Sequence, residues 1–397
     1  MSQNTLKIIA AVLLSTMLLT ATACGGANNT TPADSTPSVQ ESTVPADGST
    51  PTESDTTSDA QVSPEDSASS IEESRQSSSP AAKDETDAKE QGEIPALPDE
   101  NDTDVGEWVN NVLVYDRKAY EMFYGGEEAA KEYAATISKI KKALGDGVKV
   151  YNVVVPTHCG VTLPQRFFDE YGISDQKAYI NTILDNYTED IIGINPYDTL
   201  AHHRDEYLYF NTDHHWTGLA AYYAYKDFCK TAGVDYLRLN DMIEGTIEGY
   251  YGSLTNYVDT SLVDGDTVHY YTLDADTSTS VFDEKGENEQ STRLMHSYAE
   301  GVNAYGVFLG GDSPLMVCHN PDGNGKKIAV VKESYGNAFC PYIALTYGET
   351  HMIDFRYIEF DFLQYLKDNQ IDEVIFVNNT MASATPPRID ELNALVD

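Results

Sequence analysis

The chain has 397 residues and carries 64 acidic against 25 basic side chains, a net charge of −39. Such an excess of negative charge excludes DNA, RNA and other polyanions as ordinary partners. The length allows one large domain, or one domain with an insertion, once a low-complexity N-terminal part is set aside.

Residues 1–23 have the three-part layout of a secretory signal: Lys7, an apolar run from Ile8 to Leu19, then the small residues Ala21, Thr22 and Ala23. The apolar run is shorter than the roughly 20 residues a membrane-spanning helix needs. Cys24 follows directly, and the pattern resembles a bacterial lipoprotein signal, with Cys24 lipidated as the mature N-terminus. This predicts a chain anchored by lipid to the outer face of the cell membrane. From residue 24 to 104 Ser, Thr, Pro and acidic residues dominate, and residues 25–104 hold 19 acids against 3 bases. A segment so polar cannot bury enough apolar surface to offset its ordering entropy, and its like charges extend it. It is predicted to be a disordered acidic tether.

Residues 105–397 read as a string of alternating elements. Helical periodicity runs from Glu127 to Leu144, Gln176 to Asn186 and Thr217 to Ala232. Apolar, β-branched runs at Lys149–Pro156, Asp190–Asn195, Lys326–Ser334, Thr350–Phe355 and Glu373–Asn378 predict buried strands. The alternation argues for an α/β domain with a largely parallel sheet. Residues 234–324 differ: short runs such as TVHYYTL, STSVF and YGVFLGG are broken by Gly, Asp and Thr, and predict a β-rich insertion or lid. Cys159, Cys229, Cys318 and Cys340 show no metal-binding spacing and would serve as buried thiols or as two disulfides.

The chemistry concentrates in YFNTDHHWTG, Tyr209 to Gly218. Three readings compete. As a metal site, Asp213 and His215 have useful spacing, but adjacent histidines point apart on either a strand or a helix, and no clear third ligand follows. As structure alone, Asp213 or Thr217 caps the following helix. As catalysis, Asp213 orients His215, which takes a proton from a serine and returns it to the leaving group. The last reading needs a serine at a strand end. Ser313, in GGDSP, precedes a proline that disfavours the helical conformation. Ser334, in KESYGNAF, follows the strand IAVV and precedes a helical segment, the geometry that presents a nucleophile at the carboxyl edge of a parallel sheet.

These segments carry a resemblance. The strings VYDRKAYEMF, VVVPTHCGVTLPQRF, DEYLYFNTDHHWTGLAAYYAY, YGVFLGGD, KESYGNAFCPYIA and IDFRYI are similar to the DHHW protein family, over roughly residues 105–397. The wider likeness is to the SGNH-like domains of the alginate O-acetyltransferase proteins, whose aspartate and histidine form a D-x-H string ahead of the serine. It implies an SGNH-like parallel sheet flanked by helices, with Asp213, His215 and Ser334 as the triad. Where SGNH enzymes usually carry GDS, this chain has Lys332-Glu333-Ser334, so the turn before the serine need not follow the same path. Around the triad, the Ser334 amide is the first choice of oxyanion donor, with Gly311 and the Asn337 side chain behind it. His214 flanks the pair as a packing residue, and Trp216 belongs to the core or stacks on sugar. Arg356 braces a loop or holds an acidic group, and Pro156-Thr157 would line the cleft.

The expected activity is serine-dependent acyl transfer, an O-acetylation or deacetylation of a cell-envelope or exported polysaccharide, with no cofactor and no metal. Acetyl-CoA is not expected outside the membrane, so a transferase requires a membrane protein to deliver the acyl group. The alternative is a noncatalytic glycan- or envelope-binding lipoprotein on the same scaffold.

Overall fold

The computed structural model describes Asp87, residues 89–97 and residues 103–397. The expected signal, Cys24 and most of the expected tether lie outside the described residues. No described helix is long and apolar enough to cross a membrane.

The domain opens with a meander of β1 (Glu107–Val109), β2 (Val112–Tyr115) and β3 (Lys118–Tyr120). Its two turns, Asn110-Asn111 and Asp116-Arg117, have φ of 48°, 67°, 49° and 57°, the left-handed backbone that two-residue hairpins require. Helix α1 (Glu127–Leu144) then leads to β4 (Lys149–Val155), followed by the short α2 (His158–Thr162) and α3 (Gln165–Tyr171). Next come α4 (Gln176–Asp185), β5 (Ile191–Ile194), α5 (Tyr197–His202) and α6 (Gly218–Ala232). Thr217, not Asp213, caps α6, its side chain accepting from the Ala220 amide.

Region 234–324 supplies a separate hairpin, β6 (Ile243–Tyr250) with β7 (Asp266–Thr272), and then β8 (Ser278–Phe282), β9 (Gln290–Thr292) and β10 (Leu315–His319). The chain finishes with β11 (Lys327–Lys332), α7 (Gly336–Thr346), β12 (Glu349–Asp354), α8 (Phe362–Asp368), β13 (Glu373–Asn379), α9 (Thr380–Ser383) and α10 (Pro386–Asn393). The eight-stranded main sheet has the order β5-β4-β13-β11-β12-β10-β8-β9. The five strands from β5 to β12 are parallel, as expected, and the other three extend the sheet antiparallel from β12. The β-rich segment is therefore partly an extension of the sheet. YGVFLGG is not a strand. It contains the end of a 3-10 helix, Gly301–Val307, because Leu309, Gly310 and Gly311 turn left-handed at φ of 61°, 77° and 103°, which no strand accommodates.

Strand side chains alternate between two cores. Tyr151, Val153, Val330 and Val377 face the side covered by α6 and α7, while Val150, Val154, Val331 and Phe376 face α1, α4 and α8. Burial on both faces explains why these strands read as continuous apolar runs. Cys159, Cys229, Cys318 and Cys340 are buried free thiols.

The end of the expected tether is fastened to the domain. Lys226 on α6 is fully buried and meets Glu90 at 2.5 Å and Asp87 at 3.3 Å. Lys89 reaches Asp205 and Glu206, both at 2.6 Å, and Arg204 donates to the Pro95 carbonyl at 2.5 Å. Composition alone placed residues 89–97 in the tether. They are held because a buried ammonium must find anionic partners, and these acids provide them. Burial alone would raise the Glu90 carboxyl, but bonds to His203, Lys226 and Lys230 outweigh it and hold the group at about 2. A carboxyl lowered by folding adds stability above its unfolded value, 4.5, that is lost as pH falls toward 2. Glu90→Gln is expected to reduce the unfolding free energy at neutral pH by about 1–3 kcal/mol. It should also flatten the stability loss on acidification, which urea melts of both proteins across that pH range will measure.

Candidate active site

Tyr209 and Trp216 pair as an isolated antiparallel bridge, so the segment between them is a closed loop. Its base is clasped by the Thr217 amide donating to the Leu208 carbonyl at 2.9 Å. Asp266, from β7, holds the loop from below. Its buried carboxylate accepts from the amides of Asn211 at 2.7 Å and Thr212 at 2.9 Å, and from the hydroxyls of Tyr207 and Thr212.

Within this loop Asp213 is 2% exposed. Its Oδ1 accepts from the His215 amide at 2.9 Å and lies 2.5 Å from His215 Nδ1, while Oδ2 accepts from the Ser253 amide at 2.7 Å. Burial pushes the Asp213 carboxyl up, yet His215, His214 and these hydrogen bonds outweigh it and hold the group well below its ordinary range. The other ring nitrogen of His215, Nε2, is 2.8 Å from Ser334 Oγ. Asp213, His215 and Ser334 are thus brought into one hydrogen-bonded chain. Ser313 is not the hydroxyl bonded to His215 and lies in the turn before β10. Tyr305 completes the wall, its ring stacked on His215 at 4.0 Å and 12°, its hydroxyl donating to the Ser334 carbonyl at 3.0 Å.

Ser334 stands two residues past the end of β11 and two before α7. The glycine that permits this turn lies after the serine rather than before it: a Cβ on Gly336 would sit 2.4 Å from that of Lys332. Lys332 is buried and pairs with Asp354 at 3.0 Å; Arg356 grips the same carboxylate at 2.6 and 2.8 Å and reaches Asp312 at 2.7 Å. Glu333 accepts from the amides of Tyr335 and Asn379, each at 3.0 Å, and from the Asn379 side chain at 3.1 Å.

The flanking residues have other work. Trp216 is fully buried and donates from Nε1 to the Tyr335 carbonyl at 2.9 Å, so it is core and closed to sugar. His214 sets Nδ1 2.7 Å from Ser253 Oγ and leans on the His215 ring at 3.8 Å between centroids. The Gly311 amide donates to the Phe308 carbonyl at 3.1 Å, while Asn337 Nδ2 donates one of its two hydrogens to Asp312 at 2.9 Å. Arg356 braces the loop at Asp312. Asp213, His214 and His215 place potential metal-ligand atoms within 4.8 Å of one another, but an ion there would have to displace the bonds just described. Upstream of the loop, His202 bonds the Asp198 carbonyl and His203 bonds Glu206. Sequence reasoning missed Asp266, Gly252, Ser253 and Tyr305, which carry no local motif.

The serine after β11, in the parallel part of the sheet, is thus bonded to the histidine of the D-x-H string. The chain belongs to the DHHW family: the model described as DHHW protein matches residues 53–353. It is similar to the crystal structure of a DHHW family protein from Eubacterium siraeum at a TM-score of 0.66 and 28% identity, over 73% of this chain and 97% of that one. It is also similar in fold to Bacillus cereus PatB1, solved with a sulfonyl adduct, at 0.58 and 19%, over 70% and 98% of the two chains. The O-acetyltransferase domain of Pseudomonas putida AlgJ aligns at 0.41 and 14%, over 72% and 99%. No curated protein matches.

A methyl group at Gly252 would fall 2.3 Å from Asp213 Cβ, a contact that must move the carboxylate. Gly252→Ala is expected to cost about 1–3 kcal/mol of stability and to abolish the downfield imidazole proton shared by His215 and Asp213, which proton NMR at low temperature will read.

Proposed function

We propose that the protein is a lipid-anchored, serine-dependent acyl-transfer enzyme acting on an extracellular glycan. The observation that supports this best is the unbroken chain from Asp213 Oδ1 through His215 to Ser334 Oγ, at 2.5 and 2.8 Å. In the first half-reaction Ser334 Oγ attacks the carbonyl of an acetyl ester, and its proton passes to His215 Nε2. The carbonyl oxygen becomes an oxyanion, for which the Ser334 amide is the first candidate donor. Collapse expels the leaving alcohol, which takes the proton from His215, and leaves an acetyl-serine. In the second, a sugar hydroxyl gives its proton to His215 and attacks the acetyl-serine; collapse breaks the Ser334 Oγ–acyl bond, Oγ takes the proton back from His215, and water in place of the sugar makes the enzyme an esterase. Asp213 stays ionised and holds the imidazole in one tautomer while stabilising its charged form.

Lipidation at Cys24 would keep the domain at the outer face of the membrane on its acidic tether, within reach of cell-envelope or exported polysaccharide. A membrane protein that exports acyl groups would supply the donor.

Turnover of an aryl acetate, with sulfonyl fluoride labelling beside it, tests the reading. Ser334→Ala and His215→Ala should each lower turnover by at least about 10³-fold, and Asp213→Asn by about 10⁴-fold. Ser313→Ala should leave it unchanged, and the label should sit on Ser334. A folded protein with neither turnover nor label would instead be a glycan-binding module.

A further inference from the structure

A narrow cleft opens against the acid end of the hydrogen-bonded chain, and the reaction written above leaves it unused. It runs between Glu121, just past β3, and Asp213 and His214 of the loop, with His158 of α2 and Met381 of α9 at its sides. Among the described residues none donates a hydrogen bond to the Glu121 carboxylate; its titratable neighbours are Asp213 and His214, whose imidazole burial pushes toward the neutral form. His158 is 7% exposed and lies between the rings of Tyr120, at 4.2 Å, and Tyr209, at 5.2 Å. Burial pushes its imidazole down to about 3 and keeps it neutral; its one hydrogen bond runs to the Ala119 backbone, leaving Nδ1 without a partner. A ring that donates from Nε2 to that carbonyl presents a lone pair at Nδ1.

The cleft therefore offers the Glu121 carboxylate, which lacks a donor, beside His158 with its unpartnered Nδ1, and neither Lys nor Arg lines it. An anionic ligand meets only repulsion there. A hydroxyl brings one donor and no charge, which does not offset the desolvation of a carboxylate. A primary ammonium brings three donors and the opposite charge. The protein's net charge of −39 also attracts cationic polymers. We infer that this cleft binds the ammonium of an amino-sugar residue in the acceptor glycan, with Glu121 as its ion partner and His158 as a second acceptor. The inference rests on the glycan acyl-transfer reading and names its acceptor class. An N-acetylated sugar is disfavoured, because acetylation removes the charge and two of the three donors.

Calorimetric titration of the full chain with a β-1,4-linked glucosamine tetrasaccharide and its fully N-acetylated counterpart tests this without any variant. The free amine should bind at least about tenfold tighter. Glu121→Gln, and independently Met381→Lys, should erase that preference while melting near the wild-type temperature. Equal affinity for the two sugars, or a preference that survives both substitutions, overturns the inference. Sulfonyl labelling in the same preparation separates the two readings. Labelled Ser334 with no amine preference defeats the acceptor inference alone; amine preference with unlabelled Ser334 defeats the acyl-transfer reading alone.

Discussion

Two segments 119 positions apart meet through the buried indole of Trp216, which donates to the Tyr335 carbonyl at 2.9 Å. Tyr335 returns the contact, its hydroxyl donating to the carbonyl of His214. Each bond joins a residue beside His215 to the residue beside Ser334, and the first lies in the core, where an unmade hydrogen bond costs the full desolvation of its partner. The 2.8 Å approach of His215 to Ser334 follows from that clasp. Tyr305 adds a second tie, its ring stacked on His215 and its hydroxyl donating to the Ser334 carbonyl.

Beneath the serine the protein solves a packing problem differently from the usual GDS turn. A lysine before the nucleophile brings a charge into the core, and Asp354 meets it, itself gripped by Arg356, which also holds Asp312. Removing one member of such a network strands the others, so the four charges behave as a unit. The conformational freedom that GDS places before the serine is here supplied after it, at Gly336, whose hydrogen fits against Lys332 where a methyl does not.

The β-rich region between α6 and β11 walls the candidate site as well as extending the sheet. Its Asp266 organises the loop, Ser253 and Gly252 cradle the Asp213 carboxylate, and Tyr305 lies flat on His215. These buried supports hold the Asp213–His215–Ser334 chain in one geometry. Asp87 and Glu90 satisfy the buried Lys226, so the segment ahead of β1 shares a charge network with the domain.

Much of this was legible in one dimension. Parallel strands buried on both faces are continuous apolar runs, and α1, α4 and α6 repeat their apolar residues at helical spacing, so β4, β5, β11, β12 and β13 could be located from pattern alone. The D-x-H spacing and a serine between strand and helix are local features, and they named Asp213, His215 and Ser334 as residues to compare. What the sequence could not contain was who stands beside whom. The partners of Asp213 come from a hairpin some 40 residues away, YGVFLGG became the end of a 3-10 helix followed by left-handed backbone, and Glu90 in the acidic segment found a buried lysine. Periodicity and spacing report only the few residues within one element, whereas buried charges and polar groups are satisfied across elements, and only the tertiary structure brings those partners together.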